Sequence, residues 1–375
     1  MFYEKDIVGL HLEPTSKCNA KCPQCPRNVF GSSHLLDNLQ EEDFPIELLE
    51  QIDIPILNDV LLNGNYGDIV MHSKPKEFID ALVDKWGARR EQPTLRIHTN
   101  GSALKKDFWE YLGSLGIEVE FGIDGVTNEE HILYRQNTRL DRVLENAKTF
   151  IDAGGEAIWA MTLFKHNENS LDKAKQISKD LGFKTFKSRI STRFQHLTSK
   201  KERVSAVLNN DFSVKHWLEP VGQKDLQGDL ELTGKNIQRE YQKQLEKGQI
   251  ISRGINSKLI NDTVVCKVKD VSRVYISARG RVTPCCYLER IQKWDKDCET
   301  LGVDPNFNSL HNNKITDILK HEFWDILDNS IKTKNVLGTC SSSCGNSNIA
   351  KLNILKKVPE EHCVSNKYGR TTSNL

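Results

Sequence analysis

The stretch Glu13-Pro14-Thr15-Ser16-Lys17-Cys18-Asn19-Ala20-Lys21-Cys22-Pro23-Gln24-Cys25-Pro26-Arg27-Asn28 decides the reading of this chain. It follows a short apolar run, Ile7 to Leu12, and sets three thiols at Cys-x3-Cys-x2-Cys spacing. Four-iron clusters are usually held by four cysteine thiolates, so three closely spaced ones leave one iron open to a substrate or cofactor. An open iron points to chemistry rather than electron storage. The alternative is a structural zinc site, completed by a nearby histidine.

Working outward, residues 7 to 190 alternate short β-branched runs with longer segments of helical period, the pattern of βα units on a parallel sheet. Strands are predicted at Ile7–Leu12, Asp59–Leu62, Leu95–Thr99, Val119–Ile123, Ala157–Leu163 and Phe183–Arg189. Helices are predicted at Ile46–Ile54, Pro75–Trp86, Lys105–Leu115, Leu140–Ala153 and Asn169–Leu181, with Gly154-Gly155 and Gly182 as stops. In such architectures the loops at the carboxyl ends of strands carry the chemistry. The triad lies in the first of these loops.

The later loops carry their own candidates. After the second strand come Gly64, Asn65, Gly67 and Asp68; the third ends in Thr99-Asn100-Gly101; the fourth runs into Ile123-Asp124-Gly125 and on to His131 and Tyr134-Arg135. The fifth ends near Thr162 and His166. Each has a plain structural reading as well, since Asn-Gly and Asp-Gly make good turns, and His98 and Trp159 read as packed strand residues.

All ten cysteines fall at the two ends of the chain, with none between Cys25 and Cys266. Cys266 is followed after thirteen residues by Gly280, and four residues separate Gly280 from Cys285. A hairpin is predicted there, Ser272–Ile276 and Arg281–Pro284, turned at Ala278-Arg279-Gly280. Cys340, Cys344 and Cys363 follow, with Cys286 and Cys298 as spare thiols. Zinc is again the alternative, because thiolates serve it equally well.

These motifs together resemble the radical S-adenosylmethionine (radical SAM) superfamily, in its members with a cysteine-rich SPASM or twitch extension. The resemblance covers about residues 7 to 190 and 262 to 365. It implies an α/β fold, an open (β/α)6 partial barrel at residues 1–198, with a small α+β cysteine-rich domain at 262–375; the stretch between them, 199–261, is unmatched and reads from its charged, Gln-rich composition, with little strand pattern, as a connector with a surface helix. The resemblance also implies a [4Fe-4S] cluster on Cys18, Cys22 and Cys25 with SAM at its open iron. Gly64, Asn65, Gly67 and Asp68 would receive the SAM amino group and Arg135 its carboxylate, while Asn100, Asp124 and Thr162 are further cofactor contacts. The glycine-based adenine motif of many relatives is absent. One auxiliary [4Fe-4S] cluster is expected, held by Cys266, Cys285 and two of Cys340, Cys344 and Cys363, because two ligands of a second auxiliary cluster are missing. The implied substrate is a peptide or protein side chain, or else a small molecule, with a flavodoxin- or ferredoxin-type reductant. An iron-sulfur electron carrier or a zinc-stabilised binding protein is the non-enzyme alternative.

Composition sets wide bounds. At 375 residues the chain can bury one large and one small core. Its 52 basic and 51 acidic residues nearly cancel, giving no general field toward nucleic acid or membrane. The start lacks a secretory signal and no apolar stretch approaches a membrane span, so a cytoplasmic protein is expected.

Overall fold

A computed structural model describes residues 7–54, 57–87, 94–247, 258–290, 293–345 and 371–374. The chain divides into two compact units. The first comprises Met1–Lys17, Gln40–Ile97 and Gly254–Gly369; the second comprises Cys18–Leu39, His98–Arg253 and Arg370–Leu375.

In the first unit, β1 (Gly9–Leu12) and β2 (Asp59–Leu62) pair in parallel, and β2 pairs in the same sense with the start of β3 (Thr94–Thr99). Leu10, Leu12, Val60 and Leu62 are almost wholly buried, which is why these strands read as short apolar runs. The C-terminal hairpin is present. Its strand β11 (Arg273–Ile276) lies parallel to β1, with Gly9 opposite Arg273, and turns back antiparallel as β12 (Val282–Thr283). Gly280 has φ +70° in the turn, where its amide donates to the Ser277 carbonyl at 2.9 Å. A two-stranded sheet joins β10 (Leu259–Asn261) to β13 (Asn335–Leu337).

The second unit holds β4 (Glu118–Gly122), β5 (Glu156–Leu163) and β6 (Thr185–Ile190), paired in parallel, with β14 (Thr371–Asn374) antiparallel to β6. Trp159, Phe121 and Phe186 fill the space under the helices, each fully buried. Each unit carries parallel strands with helices between them, the α/β alternation expected of a partial barrel. Helices Pro75–Trp86 and Leu140–Asp152 fall where the periodicity predicts.

Three local expectations need correction. The helix expected at Ile46–Ile54 is a 3₁₀ turn over Ile46–Gln51, entered from Pro45. A helix at Asn128–Tyr134 was not foreseen; the Thr127 hydroxyl caps it by accepting the Glu130 amide. Most importantly, the segment read as a connector with little strand pattern contains β8 (Arg203–Leu208) and β9 (Val214–Leu218), paired antiparallel, with the two-residue β7 (His196–Leu197) beside β8. Val204, Ala206, Val207 and Leu208 are buried, but the charged residues around them hid the run. The expected helix follows at Leu230–Glu246, with the Asp229 side chain as its N-cap.

Candidate functional site

The cysteine triad lies in the second unit and is held by side chains from three other segments. Asn100, at the end of β3, directs Nδ2 to Oδ1 of Asn19 at 3.0 Å and to Sγ of Cys18 at 3.8 Å. Ser102 and Asn19 close this ring, and Asn137 donates to the Asn19 carbonyl at 2.7 Å. Gly101 is required here, with φ +66° and its Cα facing the Phe121 ring. The amide of Lys21 donates to the Gln136 carbonyl at 2.9 Å, fixing the loop from its far side.

Arg135 brings a permanent charge to the triad. Its Nη1 stands 3.9 Å from Sγ of Cys22, and its Nε donates to Oδ2 of Asp124 at 2.5 Å. Asp124 is completely buried; its other oxygen accepts the Thr162 amide, and Asn167 donates to its carbonyl at 3.0 Å. Gly122 makes room, since a Cβ there would fall inside the guanidinium. Asp124 therefore acts as a holder of Arg135, with both carboxylate oxygens engaged inside the protein. The Thr162 hydroxyl accepts Nε of Arg189 at 3.3 Å.

Around the thiols the lining is apolar. Cys22 packs in one cluster with Ala20, Tyr134, Phe164, Val207 and Leu218, and Cys18, Cys25 and Phe194 lie against it. Burial pushes the Cys22 thiol up to about 11, against the pull of Arg135. Such a thiol keeps its proton until a metal replaces it, because the coordinating ion supplies the missing positive charge. Among the described residues no three Cys, His, Asp or Glu side chains converge on a point where one ion would sit. Thiols at Cys-x3-Cys-x2-Cys spacing, lined by apolar side chains and with Arg135 beside Cys22, offer a cluster its sulfur ligands and a nearby counter-charge. The residues present therefore fit a cluster.

Gly64, Asn65, Gly67 and Asp68 belong to the first unit. Gly67 lies flat on the Thr15–Ser16 backbone, where a Cβ would overlap the Thr15 carbonyl. The Asp68 amide donates to the Lys17 carbonyl at 2.9 Å, and its side chain caps the 3₁₀ turn Ile69–Met71 through the Val70 amide. Asn65 turns the other way, donating to the carbonyls of Cys286 and Glu289 at 2.7 and 3.1 Å. A residue that sequence reasoning missed organises this region. Glu13, 1% exposed, accepts the Tyr66 amide on one oxygen and the Tyr275 hydroxyl and Ala278 amide on the other. Its only sequence signal is an acid at the end of an apolar strand.

In the same unit Cys266, Cys285, Cys340 and Cys344 line one small cavity, together with Val264, Leu288, Leu327 and Thr339. The nine described cysteines form no disulfide. Burial raises Cys285 and Cys340 well above the usual thiol range, and the neighbouring thiols add to it. Cys286 does not line this cavity. Cys298 is buried on the helix Trp294–Leu301, pushed up to about 12 by burial, and packs as a core residue. Cys363 lies outside the described residues.

Residues 12–176 match the family described as the radical SAM superfamily. Among solved structures, the chain is similar to "Native anSMEcpe with bound AdoMet", at 15% identity and a TM-score of 0.48, covering 84% of this chain and 81% of that one. It is also similar to SuiB of Streptococcus suis bound to S-adenosylmethionine, at 14% identity and a TM-score of 0.48, covering 89% and 77%. No curated protein matches by sequence comparison.

Proposed function

By the domain it carries at residues 12–176 this chain is a radical SAM enzyme, and on that premise we propose that Cys18, Cys22 and Cys25 hold a [4Fe-4S] cluster with SAM at its open iron. The observation that carries this reading is Arg135, seated by buried Asp124 and presented 3.9 Å from Cys22. When bound, cluster and SAM together supply a one-electron cleavage that releases methionine and a 5′-deoxyadenosyl radical able to take hydrogen from a substrate.

The chain's own residues do the rest. Arg135 offers a permanent, planar charge to the SAM carboxylate, a role suited to a guanidinium. Asn100 orients the Cys18 end of the loop. Tyr134, Phe164, Val207 and Leu218 keep water from the thiols, which protects a reactive radical from side reactions. Cys266, Cys285, Cys340 and Cys344 hold one auxiliary cluster.

The proposed substrate is a peptide or protein side chain: the Cys-x13-Gly-x4-Cys spacing resembles the opening of SPASM and twitch domains, whose members modify peptides and proteins and in some cases small molecules. Residues 1–198 would make the radical and 262–375 would hold the auxiliary cluster. The proposed reductant is a flavodoxin or ferredoxin. The proposed location is the cytoplasm; among the described residues no helix is long and apolar enough to cross a membrane.

The test is anaerobic turnover with SAM, a reductant and deuterated candidate substrates, reading 5′-deoxyadenosine by mass spectrometry. Deuterium arriving from a peptide supports the assignment. Deuterium arriving only from a small metabolite overturns the peptide part, and absence of SAM cleavage overturns the whole.

A further inference from the structure

The loop Gly64–Asp68 and the turn that carries Cys285 are joined by two separate bridges inside the first unit. In the first, Nδ2 of Asn65 reaches the Cys286 carbonyl at 2.7 Å and the Glu289 carbonyl at 3.1 Å. The second is Glu13, which accepts the Tyr66 amide at 2.8 Å, the Tyr275 hydroxyl at 3.1 Å and the Ala278 amide at 3.3 Å. Tyr66 belongs to the loop, and Tyr275 and Ala278 to the hairpin that leads into Cys285.

The turn closes on itself at Cys285, whose carbonyl accepts the amides of Leu288 and Glu289 at 3.1 and 3.3 Å. The carbonyls of Cys286 and Glu289 take their donor from outside the turn. A side-chain amide nitrogen has two hydrogens, and two carbonyls take both. Neither a carboxylate nor an alkyl group could replace it, since buried carbonyls without donors are costly. In the middle of the loop Gly64–Asp68, this chain therefore has an amide whose donors are spent on the cysteine turn.

We propose that Asn65 is a positioning residue for the auxiliary cluster: it fixes the turn that presents Cys285 to Cys266, Cys340 and Cys344, and ties that turn to the loop assigned to SAM. This rests on the reading that those four thiols hold a cluster. It departs from the expectation that the Asn65 side chain itself serves SAM.

The test uses the full chain with Cys18, Cys22 and Cys25 all changed to Ala, so that only the auxiliary site remains, reconstituted anaerobically. This parent should hold about four irons, one cubane. Asn65→Asp keeps the size but loses the donor, and should lose half or more of that iron or shift the resonance and midpoint potential of the reduced cluster. Asn65→Gln, which keeps both amide hydrogens on a side chain one methylene longer, should recover more of the parent signal than Asn65→Asp, and thermal melting reports whether each variant is folded. Unchanged iron, resonance and potential in Asn65→Asp would overturn the proposal. So would tighter SAM binding with an unaltered auxiliary signal when Asn65→Asp is placed in the otherwise unaltered chain, since that outcome makes residue 65 a direct SAM contact. A parent that holds no iron at all would instead sink the auxiliary-cluster reading beneath it.

Discussion

Arg135 and Asp124 form a largely buried pair, Nε to Oδ2 at 2.5 Å, with the aspartate side chain wholly enclosed and the Arg135 side chain 17% exposed. The end of Arg135 beyond this bond is the one that faces Cys22. Removing one partner of such a pair leaves an uncompensated charge and costs about 3–5 kcal/mol. Asp124→Asn, which can still accept the Thr162 amide, should lie at the low end of that range. It should also weaken SAM binding about tenfold, equivalent to about 1.4 kcal/mol. Thermal melting and a SAM titration check both; unchanged SAM affinity would remove Arg135 from the site.

Gly122→Ala tests the same seat from below. Its Cβ would displace the guanidinium without touching Asp124 directly. Overpacking of this kind costs about 1–3 kcal/mol, and SAM cleavage should fall more steeply than stability. Equal retention of SAM cleavage and of melting temperature would show that the guanidinium position does not matter.

Val207 and Leu218 lie outside the matched domain yet pack against the triad. Val207→Asp would place a charge among Cys22, Tyr134 and Phe164, where burial without a partner is costly. The variant should lose iron from the triad and bleach faster in air, while the auxiliary iron stays. Iron content of this variant beside the triad-to-Ala chain separates the two pools; equal losses from both would indicate general unfolding.

Acid should destabilise the second unit through its histidines. Burial lowers His131 to about 4, and His166 likewise to about 4. In the unfolded chain both would take a proton near pH 6.5. The neutral forms thus contribute stability above pH 6.5 that is lost as pH falls toward 4, because the unfolded state binds more protons there. Urea midpoints measured across this window should fall with pH, and His131→Gln should flatten the slope. An unchanged slope in that variant would exclude His131 as the titrating group.

Much of this was legible beforehand because the signals are local. β2 and the helix Pro75–Trp86 match their predicted limits, since their apolar period is fixed by neighbours a few residues away. The triad stands out in the sequence because its Cys-x3-Cys-x2-Cys spacing is written in nearly consecutive residues. The pairing of β11 with β1 was not, because a parallel partner more than 260 positions away leaves no mark on either strand. Glu13 was missed for a related reason: its partners at Tyr66, Tyr275 and Ala278 come together only in the fold. Asn65 looked like part of a cofactor loop because its neighbours do. Only its two carbonyl partners separate it from them.

The most direct measurement of the central claim is formation of 5′-deoxyadenosine from SAM by anaerobically purified, reduced protein, beside the Cys22→Ala variant. The protein should be brown, carry about eight irons as two cubanes, and form 5′-deoxyadenosine; Cys22→Ala should keep the auxiliary iron and form none. Zinc in place of iron with no SAM cleavage, or cleavage undiminished in Cys22→Ala, would contradict the account.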